Sequence, residues 1–161
     1  MEGEVVKLSG GFESLVKGFS DKSERGILRG SLRRTAQQVL VKAAKKNLQG
    51  IKAGRHKKSV TVKTTVTPQV AKATVGAKKG TSLAKLGHLF ERGTRPHTIR
   101  IKDRKVLVAN GIFMGRSVEH PGTRPRPWLN PALEDNTQQA VAKFGELIVE
   151  EVKKAAAKGK K

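Results

Sequence analysis

The sequence predicts an α+β fold: an antiparallel sheet with a long basic helix and a long C-terminal helix packed on it, and a projecting β-hairpin. Three observations predict it. Two segments, Ile27–Gln49 and Pro131–Lys158, carry apolar residues at helical spacing. Between them, short runs such as "SVTVKTTVT" and "HTIRIK" are rich in Val, Thr and Ile and alternate in polarity. The order is strand, two helices, a run of strands and a last helix, which is the plan of an antiparallel sheet with helices on one side.

The elements follow in order. "EVVKLSG", Glu4 to Gly10, reads as a strand. Phe12, Leu15, Val16 and Phe19 fall at i, i+3, i+4, i+7, which predicts a short amphipathic helix, and "SDKSERG" reads as a polar connector. In Ile27–Gln49 the apolar stripe is Leu28, Leu32, Ala36, Val39 and Ala43, and basic and amide side chains fill the rest, with Gly50 as the stop. "GIKAGRHKKS" reads as a basic loop. "SVTVKTTVT" puts Val60, Val62, Thr64 and Val66 on one face, Pro68 ends it, and "VAKATVG" returns as its partner. "KLGHLFERGT" begins a helical turn. "HTIRIK" and "RKVLVAN" read as a hairpin joined near Lys102 and Asp103, with "GIFMGRSVE" as a third extended piece. In the last helix the stripe is Leu133, Val141, Phe144, Ile148, Val152 and Ala155, and residues 158–161 form a frayed basic tail.

Composition bounds the function. The chain has 161 residues, which suits one domain, 1–161. It has no cysteine, which excludes disulfides, thiolate metal sites and cysteine nucleophiles, and fits a reducing cytoplasm. No apolar run is long enough to span a membrane, and the acidic N-terminus lacks the apolar centre of a signal peptide. The formal net charge is +21, and from Arg25 to Phe90 there are 16 Lys and Arg and no acid. A surface this basic calls for a polyanion or an acidic protein nearby. Aromatics are only 4% and tyrosine is absent, which argues against extensive base stacking.

"EHPGTRPRPWLNPALEDN" holds four of the six prolines and the only tryptophan. Asn130 before Pro131 is a helix entry, and Glu134 and Asp135 suit the first turn. Pro121, Pro125 and Pro127 hold the preceding chain extended. Trp128 is the anchor that docks this arm onto the core or onto a neighbour. "GTRP" occurs twice, at Gly93–Pro96 and Gly122–Pro125, each two or three residues after a glutamate, Glu91 and Glu119. The two copies mark the base of a β-excursion at about 94–122.

His88, Glu91, Gly93 and Thr94, with Arg126, Pro127, Trp128, Leu129, Pro131, Ala132 and Leu133, make up a pattern that resembles the neck or tail-completion proteins of long-tailed bacteriophages. In that family H-x-x-E-x-G-T is followed by R-P-(aromatic)-L-x-P-A-L and a long C-terminal helix. Tryptophan stands here where phenylalanine is commoner, and Asn130 where a basic residue is usual. The resemblance runs from about Leu28 onward. It implies a virion structural protein, assembled in the host bacterial cytoplasm, that forms part of a ring at the head–tail junction around the DNA channel. No nucleophile is paired with a base at a recognisable spacing, so no enzymatic activity and no cofactor are expected. Its partners would be further copies of the chain, neighbouring neck and tail proteins, and phage DNA bound without sequence preference. The alternative is a free sequence-nonspecific nucleic-acid-binding protein.

The expected subunit contact is Arg124, Arg126, Trp128 and Leu129. The expected contact with DNA or an acidic partner is Arg29, Arg33, Lys42, Lys45 and Lys46 on the first long helix, with Arg55, Lys57 and Lys58 in the loop after it. His88 and Glu91 lack a third ligand at a fitting spacing, so they are expected to bond backbone groups around the Gly93 turn rather than a metal. His97 and His120 flank the GTRP copies as loop residues. "GAKKGTS" lacks the glycine–lysine–serine/threonine ending of a phosphate-binding loop.

Overall fold

In the computed structural model, residues 21–49, 54–67, 70–101, 106, 108–109 and 111–158 are described. The expected strand Glu4–Gly10, the helix Phe12–Phe19 and the junction at Lys102 and Asp103 lie outside them.

The first long helix is composite. α1 spans Asp21–Thr35, a π-helical segment spans Ala36–Val41, and α2 spans Lys42–Asn47. It begins earlier than expected, because the Lys, Glu and Arg of the supposed connector are good helix formers. Its buried line also differs. Ile27, Ser31, Thr35, Ala36, Val39, Val41, Ala44 and Leu48 are buried, while Leu28, Leu32 and Ala43 are half-buried flanks. α1 is covered from two sides, by the C-terminal helix and by the first hairpin. The small side chains of Ser31 and Thr35 suit that close approach.

α3, Gly54–Lys57, is a single helical turn within the expected basic loop. β1, Val60–Val66, pairs antiparallel with β2, Ala71–Ala77, from Val60↔Ala77 to Val66↔Ala71. The alternation is as expected: Val60, Val62, Thr64 and Val66 share the inner face with Ala71, Ala73, Val75 and Ala77. α4, Ser82–Arg92, is a full helix where only a turn was anticipated. The Oγ1 of Thr81 caps it by accepting the Ala84 N–H at 3.4 Å.

The later strands pair differently from the local reading. β3, His97–Arg100, pairs with β6, Ser117–His120, while β4, Val108–Ala109, pairs with β5, Ile112–Phe113, in a nested ribbon. The cause lies at the ribbon base. Thr94 and Thr123 exchange both backbone hydrogen bonds, at 2.9 and 3.0 Å. Beside them Gly93 and Gly122 have φ of 68° and 84°. A Cβ on Gly93 would lie 2.3 Å from the Thr123 carbonyl oxygen, and one on Gly122 would lie 2.3 Å from that of Thr94. The two GTRP copies thus face each other across one junction, which only glycine permits in that backbone conformation. They hold the first strand of the excursion against the last.

α5, Asn130–Glu134, is separate from α6, Thr137–Lys158, where one helix was expected. At the break the Asn136 Nδ2 donates to the Ala132 carbonyl at 3.1 Å and the Thr137 Oγ1 to the Leu133 carbonyl at 2.7 Å. On α6, Phe144, Leu147 and Ile148 are buried, Val152 and Ala155 are half-buried, and Val141 is exposed. Val141 thus lies at the edge of a buried face that centres on Phe144, Leu147 and Ile148.

Two apolar clusters result. Ile27 with Phe144 and Ile148 joins α1 to α6, flanked by Leu28, Leu32, Val152 and Ala155. Val41, Ala44, Leu48, Val60, Leu83, Trp128 and Ala132 form the second, which gathers α2, β1, α4 and the arm.

Candidate nucleic-acid interface and the adjoining arm

The composite helix presents a basic line to solvent. Lys22, Arg25, Arg29 and Arg33 are exposed on α1, and Lys42 and Lys46 on α2, with Lys45 half-buried beside them. The π-helical segment inserts extra backbone between Arg33 and Lys42, and exposed Gln37 and Gln38 bridge the gap. At about 1.5 Å per residue the whole helix is on the order of 40 Å long. Gln37, Gln38, Val41, Lys42 and Lys45 line a shallow surface depression of about 410 Å³ there. Lys57 is half-buried and Lys58 exposed near the start of β1, and the side chain of Arg55 lies outside the described residues.

Arg34 belongs to another system. It pairs with Glu151, and at 3.5 Å with Glu150, so its charge is spent on holding α1 to α6. Lys154 joins both glutamates, and its hydrogen bond and charge hold the Glu150 carboxyl below the ordinary carboxylate range. The helix therefore divides its arginines: Arg34 faces α6, while Arg29 and Arg33 face water.

The proline arm is fastened to α4. The Glu91 carboxylate accepts three backbone N–H groups: Trp128 at 2.9 Å and Leu129 at 3.0 Å on Oε2, and Asn130 at 2.9 Å on Oε1. Trp128 and Leu129 lead into α5 and Asn130 opens it, so a glutamate distant in sequence closes the helix start in the place expected of Asn130. The Phe90 carbonyl accepts the Arg126 N–H at 2.7 Å. Glu91 thus bonds backbone as expected, but on the arm rather than around Gly93. His88 is exposed.

Trp128 corrects the expected subunit contact. It is 4% exposed and lies in its own subunit's core, so it cannot anchor a neighbour. Its Nε1 donates to the Gly87 carbonyl at 3.2 Å, and Asn47 Nδ2 donates to its carbonyl at 3.3 Å. A Cβ at Gly87 would lie 3.4 Å from the indole, an ordinary van der Waals distance, so the ring packs closely over this turn of α4. Leu129 is half-buried against the same cluster, while Arg124 and Arg126 remain exposed.

His97 and His120 lie on strands rather than loops, opposite one another in register, with ring centroids 5.0 Å apart. His97 Nδ1 meets the Arg95 carbonyl at 2.9 Å and His120 Nδ1 accepts the Gly122 N–H at 3.0 Å, so both serve the ribbon base. Among the described residues, no group of three or more His, Asp or Glu is placed to hold a metal ion, and no helix is long and apolar enough to cross a membrane. No protein-family model matches the chain, and no curated protein or solved structure matches it.

Proposed function

We propose that this protein is a structural component of the head–tail junction of a long-tailed bacteriophage, one subunit type of a homo-oligomeric ring that completes the tail or joins it to the head around the DNA channel. It turns over no substrate. The observation that supports this most is the Glu91 clamp. The two separated halves of the pattern shared with neck proteins, His88–Thr94 and Arg126–Leu133, meet through Glu91 and the amides of Trp128, Leu129 and Asn130. The residues that carry the resemblance thereby have a joint physical task, which is to fix the arm and the ribbon base as one rigid frame.

The solvent-facing line of Arg29, Arg33, Lys42 and Lys46 supplies what a channel wall needs, a positive surface that meets phosphates without reading sequence. Lys58 is exposed near the start of β1 as well. The same line also favours the second reading, a free sequence-nonspecific nucleic-acid-binding protein. The ring is preferred because the chain in addition projects a ribbon with exposed apolar residues, which a free DNA binder does not need. Localisation in particles tests the choice. Antibody to this protein should label the neck of purified virions; its absence from particles, with label confined to host nucleic acid, would favour the free binder.

A further inference from the structure

The outer face of the β1–β2 hairpin carries only cations and hydroxyls. In the pairing register Lys63 lies opposite Thr74, Thr65 opposite Lys72, and Thr61 opposite Gly76. Thr61, Lys63, Lys72 and Thr74 are exposed, and Thr65 is half-buried. Every side chain on this face is thus an ammonium or a hydroxyl; none is a carboxylate and none is apolar. Lys63 and Lys72 stand on a cross-strand diagonal, roughly 7–8 Å apart, so their charges add to one field. At the base of the hairpin Lys78 and Lys79 are exposed, and the Lys78 N–H donates to the Ser59 carbonyl at 2.7 Å, which holds this end of the cluster beside β1.

An outward sheet face is polar for the sake of solubility alone. A face that serves only solubility gains from opposite charges across its strands. Here there are none. Among the described residues the ion pairs join Arg34, Lys143 and Lys154 to Glu146, Glu150 and Glu151, and none involves Lys63, Lys72, Lys78 or Lys79. The opposite charge for this face has to come from outside the chain.

The face lies back to back with the basic line of the helix. Val60, Val62, Val75 and Ala77 on the inner side of the hairpin pack with Val41, Ala44 and Leu48. At 3.6 residues per turn, Lys42 and Lys46 point about 150° away from those three helix residues. The helix line and the hairpin's outer face are therefore the two outer surfaces of one helix-on-sheet layer, and they face opposite ways. One straight duplex does not reach both.

We infer that the outer face of the hairpin is a second contact for duplex DNA, made by Lys63, Lys72, Lys78 and Lys79 with hydroxyl bonds from Thr61 and Thr74 to phosphate oxygens, so that one subunit holds two duplex segments at once. Lysine and threonine bond phosphates without reading bases. The inference rests on the reading of the helix line as a DNA contact, and adds to it a surface on the other side of the molecule.

A bridging measurement tests it. One duplex is fixed to beads, a second and labelled duplex is left in solution, and the purified full chain is added at low salt. The wild type should carry the labelled duplex onto the beads, and added salt should release it. Lys63→Gln with Lys72→Gln should cut that capture at least about tenfold while changing the affinity for a single duplex by less than about threefold, because the helix line is intact. Lys63→Arg with Lys72→Arg should bridge as the wild type does. Arg29→Gln with Arg33→Gln should also lower capture, by weakening the opposite face. These side chains are exposed, so circular dichroism and the urea midpoint should match the wild type in every variant. Capture unaffected by Lys63→Gln with Lys72→Gln, as when copies bridge through their helix lines alone, overturns the second face. A wild type that binds one duplex and captures no other also overturns it, and leaves the helix line standing. A wild type that binds no duplex overturns the DNA reading of the helix line, and the second face with it.

Discussion

The Glu91 carboxylate accepts the backbone N–H of Trp128 at 2.9 Å, across 37 residues of sequence. With the Leu129 and Asn130 amides on the same carboxylate, one side chain closes the start of α5 and sets the arm on α4. Glu91→Ala leaves three amides without this acceptor. Hydrogen bonds to charged groups contribute roughly 1.5–3 kcal/mol each, and water will replace part of that, so the expected loss is about 2–3 kcal/mol by urea denaturation. A change below about 0.5 kcal/mol would show that the clamp does not bear on stability.

Trp128→Ala should act on the monomer. The side chain lies in the cluster of Leu48, Val60 and Leu83, and deleting a buried aromatic costs roughly 3–5 kcal/mol. The loss should appear in the denaturation midpoint at every protein concentration. A variant of wild-type stability would mean the indole is not the core residue described.

The ribbon base depends on glycine at two places. Gly122→Ala puts a Cβ against the Thr94 carbonyl and forces alanine into a positive φ, which carries a strain of roughly 1–3 kcal/mol before any clash. Hydrogen exchange at the Thr94 and Thr123 amides should speed up markedly, while the α6 amides between Phe144 and Ile148 stay protected. Unchanged exchange at both threonines would contradict the paired-GTRP junction.

Duplex DNA binding should distinguish arginines that are neighbours in sequence. Replacing Arg29, Arg33, Lys42 and Lys46 together by Gln should reduce the magnitude of the log K against log salt slope by roughly 3–4, as contacts to about four phosphates are lost. Arg34→Gln should leave that slope nearly unchanged, because Arg34 is committed to Glu150 and Glu151. Equal effects from the two variants would mean the helix face has been assigned wrongly.

The sequence made some of this visible and hid the rest for identifiable reasons. Phe144, Ile148, Val152 and Ala155 repeat at helical spacing, and Val60, Val62, Thr64 and Val66 alternate, so α6 and β1 were legible from period alone. Ser31 and Thr35 were not legible as core, because their polarity says surface while their small size is what the packing uses. α1 is covered on two sides, by α6 and by the β1–β2 hairpin, and a single stripe of Leu28 and Leu32 could not show that Ile27 and Ser31 take the more buried positions. Pairing of β3 with β6 is decided by Gly93 and Gly122 across the ribbon base; the doubled GTRP signalled the base but not the nesting within it. The Glu91 cap joins residues far apart in sequence, and no local spacing announces such a bond. Asn110-Gly111, between Ala109 and Ile112, is a hairpin-turn signal that would have placed the ribbon tip correctly.

The most direct test of the head–tail assignment is electron microscopy of particles made without this protein. A phage carrying a null allele of its gene should give filled heads and separate tails, or tails of defective termination, with joined infectious particles restored by the wild-type chain supplied in trans. Fully joined, infectious particles from the null allele would contradict the assignment.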